Sequence, residues 1–172
     1  VPDQDSAPQT MRGIRGISRI SEAGGAPEVV WSSDSLLPTA LTPLPGGRGV
    51  LFTACPAPCD RQAIWALNLA AGSAHQVMAE GLAAWYLSTG HLAFVRRDRH
   101  LLVVPFQLKS LRPRGTPMAV LDSVSTEGPV PLFAVSASGT AVMRLGAAAQ
   151  SLGFSLVSVD RSGHQTPVDS SW

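Results

Sequence analysis

Short apolar runs of four to six residues, each closed by Gly or Pro, set the rhythm of this chain. Leu101-Leu-Val-Val104, Leu92-Ala-Phe-Val95 and Ile64-Trp-Ala-Leu67 are apolar at successive positions, without the alternation of a strand wetted on one face. Runs of this length between such breakers predict strands in sheets covered on both sides, with helix content near zero. The first predicted pair, Gly16 to Ile20 and Pro27 to Trp31, flanks Glu22-Ala-Gly-Gly25, whose glycines supply the positive φ of a tight hairpin. Four strands follow, near Thr39 to Leu44, Val50 to Ala54, Ala63 to Leu69 and His75 to Met78. Four more are predicted at Ala83 to Leu87, Leu92 to Arg96, Leu101 to Phe106 and Met118 to Leu121. Between the last two of these, the basic, Pro-containing segment Gln107 to Pro117 reads as a long connection in place of a short turn. The last four are Leu132 to Ser136, Ala141 to Leu145, Phe154 to Val159 and Gln165 to Val168, with Asp160-Arg-Ser-Gly163 as a turn.

One strand-turn-strand unit recurs three times, over Pro38 to Phe52, Ala84 to Phe94 and Leu132 to Met143. Its turn glycines, Gly47, Gly90 and Gly139, are spaced by 43 and 49 residues. A period of about 40 to 50 residues built of short strands is the signature of a β-propeller blade. The expected fold is therefore all-β, a propeller of four-stranded antiparallel blades with about three and a half blades present. A disordered leader is expected over 1–12 and a partial propeller over 13–172: a half blade at 13–31, then blades at 38–79, 83–121 and 131–169. A lipocalin-like barrel or a β-sandwich is the structural competitor.

Composition agrees with sheets covered on both faces, because only 15% of the 172 residues are charged, against about 25% in an average soluble domain. A net charge of +1 speaks against nucleic acid or anionic lipid as partner, since such partners select a clustered basic surface. The one dense basic run, Arg96-Arg97-Asp98-Arg99, reads as a solvated hairpin tip. No apolar stretch approaches the roughly 18 residues that a membrane-spanning helix needs. No targeting segment is legible from Val1 onward. Cys55 and Cys59, in Cys55-Pro-Ala-Pro-Cys59, are read either as a small disulfide loop or as free thiols. A zinc site would need two further ligands, and His75, His91, His100 and His164 show no paired spacing to provide them.

The search for chemistry assigns no catalytic, cofactor-binding or metal-binding residue. The chain has no Gly-x-Ser-x-Gly elbow, no kinase Gly-rich loop with a strand Lys, and no His-Arg-Asp motif. Gly46-Gly-Arg-Gly49 lies between two predicted strands and reads as a hairpin turn rather than an anion cradle. Asp98 and Asp160 sit at predicted hairpin tips, where Asp accepts hydrogen bonds from nearby amides. Trp31, Trp65 and Trp85 are expected to fill space between blades, Trp65 most firmly. Any site would draw on loops entering the axis, those preceding Thr39, Ala84 and Leu132.

The segments Leu44-Pro-Gly-Gly-Arg-Gly-Val-Leu-Phe52, Ile64-Trp-Ala-Leu-Asn-Leu69 and Ser88-Thr-Gly-His-Leu-Ala-Phe94 resemble the WD40-like repeats of TolB-type six-bladed propellers. The run Leu92 to Phe106, with Phe133-Ala-Val-Ser-Ala-Ser-Gly-Thr140 and Leu156-Val-Ser-Val-Asp-Arg-Ser-Gly163, looks more narrowly like the propeller that follows the kinase domain in many bacterial serine/threonine kinases. The resemblance implies a bacterial propeller in an extracytoplasmic or periplasmic setting, and it covers nearly the whole chain. Repeats without catalytic motifs point to a non-catalytic module that binds a protein or peptide, the sensor or scaffold part of a larger protein. The alternative is a propeller that gates substrate for a hydrolase or peptidase domain lying outside the chain. Fewer blades than six also raise self-association to complete a ring.

Overall fold

Gly47, Gly90 and Gly139 turn the chain with φ of 62°, 81° and 89°, a region costly to any residue with a Cβ. Each joins the first two strands of a sheet of four or, at Gly90, five strands. The computed structural model describes residues 16–56, 61–136, 139–146 and 156–169. The expected leader and Cys59 lie outside the described residues, as does the start of the strand predicted from Phe154.

A two-stranded sheet comes first, formed by β1 (Gly16–Arg19) and β2 (Glu28–Ser32). The first full blade is the antiparallel meander of β3 (Leu36–Pro43), β4 (Gly49–Pro56), β5 (Ala63–Asn68) and β6 (Ser73–Met78). The second comprises β7 (Ala83–Leu87), β8 (His91–Val95) and β9 (Leu101–Gln107), with an outer strand in two pieces, β10 (Arg112–Pro113) and β11 (Met118–Leu121). A small hairpin of β12 (Thr126–Glu127) and β13 (Val130–Pro131) leads into the third blade. That blade is β14 (Phe133–Val135), β15 (Ala141–Met143), β16 (Leu156–Val159) and β17 (Gln165–Asp169). The only helical turn among the described residues is the 3-10 turn Pro45–Gly47. The chain is a partial β-propeller of antiparallel blades.

One expectation needs correction. The segment Gln107 to Pro117 is not a long connection, because Arg112 and Pro113 pair with Gln107 and Phe106 across a tight hairpin. The hairpin closes because Leu111 takes a left-handed conformation, φ 55°, and is itself almost fully buried at 2% exposure. A hydrophobic side chain spent on a turn position is what hid the strand. The hairpin β12–β13, with strands of two residues each, was likewise not legible.

Blade faces meet in three apolar clusters. Leu51, Ile64 and Ala66 of the first blade pack against Leu92, Phe94 and Val104 of the second, with Leu111 inserted between them. Ala93, Val95 and Leu101 of the second blade, with Trp85, meet Phe133 of the third. Ile17 and Trp31 of the two-stranded sheet cover Phe52, Ala54 and Leu67. A polar contact ties the first two blades as well: the buried Thr53 hydroxyl donates to the Leu82 carbonyl at 2.9 Å. A buried donor and acceptor so paired avoid the desolvation cost of leaving either alone.

Candidate binding cleft

Inner strands of successive blades converge on the axis, and what lies there is decided by a defect in β3. Thr39 pairs with Thr53 and Thr42 with Leu51, so Ala40 and Leu41 together oppose the single residue Phe52. This is a bulge, and Ala40 within it has φ 47°, a conformation that costs a non-glycine residue about 1–2 kcal/mol. The extra residue turns Leu41 toward the axis, where it is 55% exposed.

Opposite Leu41 stand Trp85 of β7, Val130 of β13 and Phe133 of β14, and together these bound a cleft of about 420 Å3. The Trp85 and Phe133 rings are 4.7 Å apart and tilted by 56°, which holds them as one aromatic wall. The lining carries no charged side chain; Thr39, Thr42 and Gln62 supply its polar groups. Thr39 is engaged with the Thr53 carbonyl at 3.3 Å. Volume and lining fall in the range of sites that hold an apolar group and orient it with a few hydrogen bonds. A second cleft, about 500 Å3, lies between the second and third blades.

The residues singled out in the sequence divide between cleft and turns. Of the three loops expected at the axis, the stretch before Ala84 contributes Leu82 and the stretch before Leu132 contributes Pro129 to Pro131. The first contribution comes from β3 itself instead of the loop before it. Trp85 both fills space between blades and faces the cleft. Trp31 and Trp65 flank Phe52 with centroids at 5.1 and 6.4 Å, away from the axis. Gly46 and Gly47, φ 66° and 62°, form the hairpin turn between β3 and β4. Cys55 on β4 is disulfide-bonded, and the chain holds one other cysteine. Leu41 was missed, because an apolar residue in a strand reads as core until the bulge is known.

The charged tips hold turns. Arg96 donates through Nε and Nη2 to the Asp98 carboxylate, and the His100 amide donates to the same carboxylate at 3.3 Å. These bonds, the Arg96 one foremost, lower the Asp98 pKa to about 2. His100 stands between two carboxylates, with Nδ1 3.2 Å from Asp98 and Nε2 3.1 Å from Asp122. Opposite ring nitrogens face the two acids, so the three groups do not converge on one point. Among the described residues no three metal-ligating side chains gather. At the other tip Asp160 accepts from the Ser162 hydroxyl at 2.6 Å and from the amides of Ser162 and His164, which lowers its pKa too.

A carboxylate whose folded pKa is depressed adds stability above its unfolded pKa of about 4 and loses it as pH falls toward the folded value. We therefore expect the Asp98 carboxyl carbon to titrate by NMR with a midpoint near 2. Arg96→Gln should return that midpoint toward 4, the ordinary range. An unchanged midpoint in Arg96→Gln would remove Arg96 as the cause.

Geometry and packing define the class, a partial propeller with an uncharged axial cleft, and solved structures agree on the fold. The chain is similar to a calcium-binding protein, regucalcin, from Agrobacterium tumefaciens, with a TM-score of 0.63 and 13% identity over 88% of this chain and 52% of that one. Regucalcin is a six-bladed β-propeller. The chain is also similar to a puromycin-hydrolyzing peptidase of Mycobacterium tuberculosis, with a TM-score of 0.53 and 13% identity over 92% of this chain and 36% of that one. It thus spans about half of the first structure and about a third of the second. No family model and no curated protein matches the sequence. Among the described residues no helix is long and apolar enough to cross a membrane.

Proposed function

We propose that this chain is a non-catalytic propeller module that binds a protein or peptide segment in its axial cleft, as the sensor or scaffold part of a larger bacterial protein. The observation that carries the reading is an uncharged cleft in which Leu41 and Val130 stay more than half exposed beside an aromatic pair. Isolated apolar side chains on a surface are ordinary, but several converging on one concave, charge-free site mark a place for an apolar ligand group. The WD40-like repeats that the sequence resembles suit such a role, and so does an extracytoplasmic setting.

A random peptide library displayed on phage and selected on the purified chain tests it. Selected peptides should carry an aromatic or aliphatic anchor and bind with micromolar affinity by calorimetry. Leu41→Glu and Val130→Glu should each weaken binding by about tenfold or more, since a carboxylate placed in the cleft must be desolvated. Binding indifferent to both changes would overturn the cleft as the site. Hydrolysis or phosphoryl transfer at enzyme-like rates, lost on mutating one polar cluster, would overturn the non-catalytic reading. A second reading, a propeller that gates a hydrolase, draws on the likeness to the mycobacterial peptidase. A hydrolase or kinase signature elsewhere in the parent polypeptide separates the two readings.

A further inference from the structure

Gln62 and Leu82, on the wall of the axial cleft, also line a smaller cleft of about 260 Å3, whose other walls include Arg61, Glu80 and Arg97. Strand alternation brings these residues together. In the antiparallel blades β4 ends, β5 begins, β6 ends, β7 begins and β8 ends on one side of the molecule, so Arg61, Glu80 and Arg97 share that side. Two backbone hydrogen bonds fix the arrangement. The Gly81 amide donates to the Gln62 carbonyl at 3.0 Å, and the Leu82 amide to the Val95 carbonyl at 2.8 Å. The link 79–82 is thereby stitched to the start of β5 and to the end of β8, with Arg61 adjoining the first stitch and Arg97 the second.

The smaller cleft sets two cations against one acid, all three of them exposed. The neighbouring Arg96 is engaged with Asp98. A guanidinium carries five N–H donors in a planar fork, so it receives a carboxylate even when some of its donors serve another partner. The axial cleft has the opposite chemistry, an aromatic wall and exposed aliphatic side chains without charge. Because the two clefts meet at Gln62 and Leu82, a ligand that fills both carries its apolar group and its anion close together.

We infer that the joined clefts hold the C-terminus of a partner polypeptide that ends in an apolar residue. The inference rests on the peptide-binding reading above and adds which part of the peptide is held. The last side chain enters the axial cleft beside Leu41 and the Trp85–Phe133 pair, and the α-carboxylate lies toward Arg61 and Arg97. Gln62, at the junction, offers its amide oxygen to the last peptide N–H and its amide N–H groups to the carboxylate. A side-chain carboxylate fits less well. Successive side chains of an extended peptide point to opposite sides, so an Asp or Glu next to the apolar residue carries its anion away from the arginines.

The test selects two displayed peptide libraries on the whole chain, one with free C-termini and one with its C-termini fused to the coat protein. The free-ended library should yield peptides whose last residue is aromatic or aliphatic. As synthetic free acids these should bind about tenfold tighter or more than as C-terminal amides. Arg61→Gln and Arg97→Gln should each weaken the acid by about threefold to tenfold and leave the amide unchanged. Glu80→Gln, which removes the like charge, should strengthen the acid. Equal binding of acid and amide, both weakened by Leu41→Glu, would overturn the inference and leave the peptide-binding reading standing. Amides with an internal Asp that bind as tightly as the free acids would give the arginines a side-chain carboxylate and overturn it as well. An acid preference that survives both arginine changes would place the anion elsewhere, with the same result. Failure of both libraries would overturn the two readings together.

Discussion

Leu111→Ala is expected to destabilise the chain by about 3 kcal/mol, within the range of about 2–5 kcal/mol for truncating a buried leucine. Leu111 belongs to the outer hairpin of the second blade, yet its side chain sits in the cluster that this blade shares with the first. Its carbonyl is 2.9 Å from His75 Nε2, on β6, so backbone and side chain both reach across the interface. Alanine loses the packing and gains nothing at the backbone, since φ 55° is as strained for Ala as for Leu. The loss should appear as a lower urea midpoint with an unchanged slope. Leu111→Met keeps volume and flexibility and should cost less than about 1.5 kcal/mol. If Leu111→Ala also cost less than about 1 kcal/mol, the hairpin tip would not be holding the two blades together.

The contrast between Leu111 and Gly90 shows where the sequence could be read. Gly90 turns β7 into β8 at a position where only glycine is comfortable, so the residue type announces the geometry. Together with Gly47 and Gly139 it marks the blade repeat, and the apolar runs between these glycines place most strands. Leu111 and Ala40 adopt left-handed conformations without glycine, and nothing in their residue types signals it. The tertiary packing that pays their strain is absent from any local pattern. For the same reason the cleft was legible as loops near the axis but not as residues. Leu41 reads as a core residue in an apolar strand, and only the bulge opposite Phe52 turns it into the cleft. Blade number was legible as a shortfall.

Gly49→Ala should cost at least as much as Leu111→Ala, about 3 kcal/mol or more, because its clash is with backbone. Gly49 begins β4 opposite Asn68, and a Cβ there would lie 2.2 Å from the Leu67 carbonyl oxygen. That oxygen belongs to the strand paired with β4, so it can retreat only by distorting the ladder. Gly90 and Gly139 pose the opposite case: a Cβ at either meets nothing within 4 Å, and only their positive φ resists it. Alanine at those two turns should cost about 1–2 kcal/mol. The added Cβ at Gly49 would also lie 3.3 Å from Leu111 Cδ1, which makes the two sites a double-mutant cycle. If the carbonyl dominates, Leu111→Ala cannot relieve the clash and the two losses should add within about 0.5 kcal/mol. A double mutant more stable than that sum by over 1 kcal/mol, in urea denaturation, would show that the leucine was the obstacle and that β4 and β5 tolerate the methyl group.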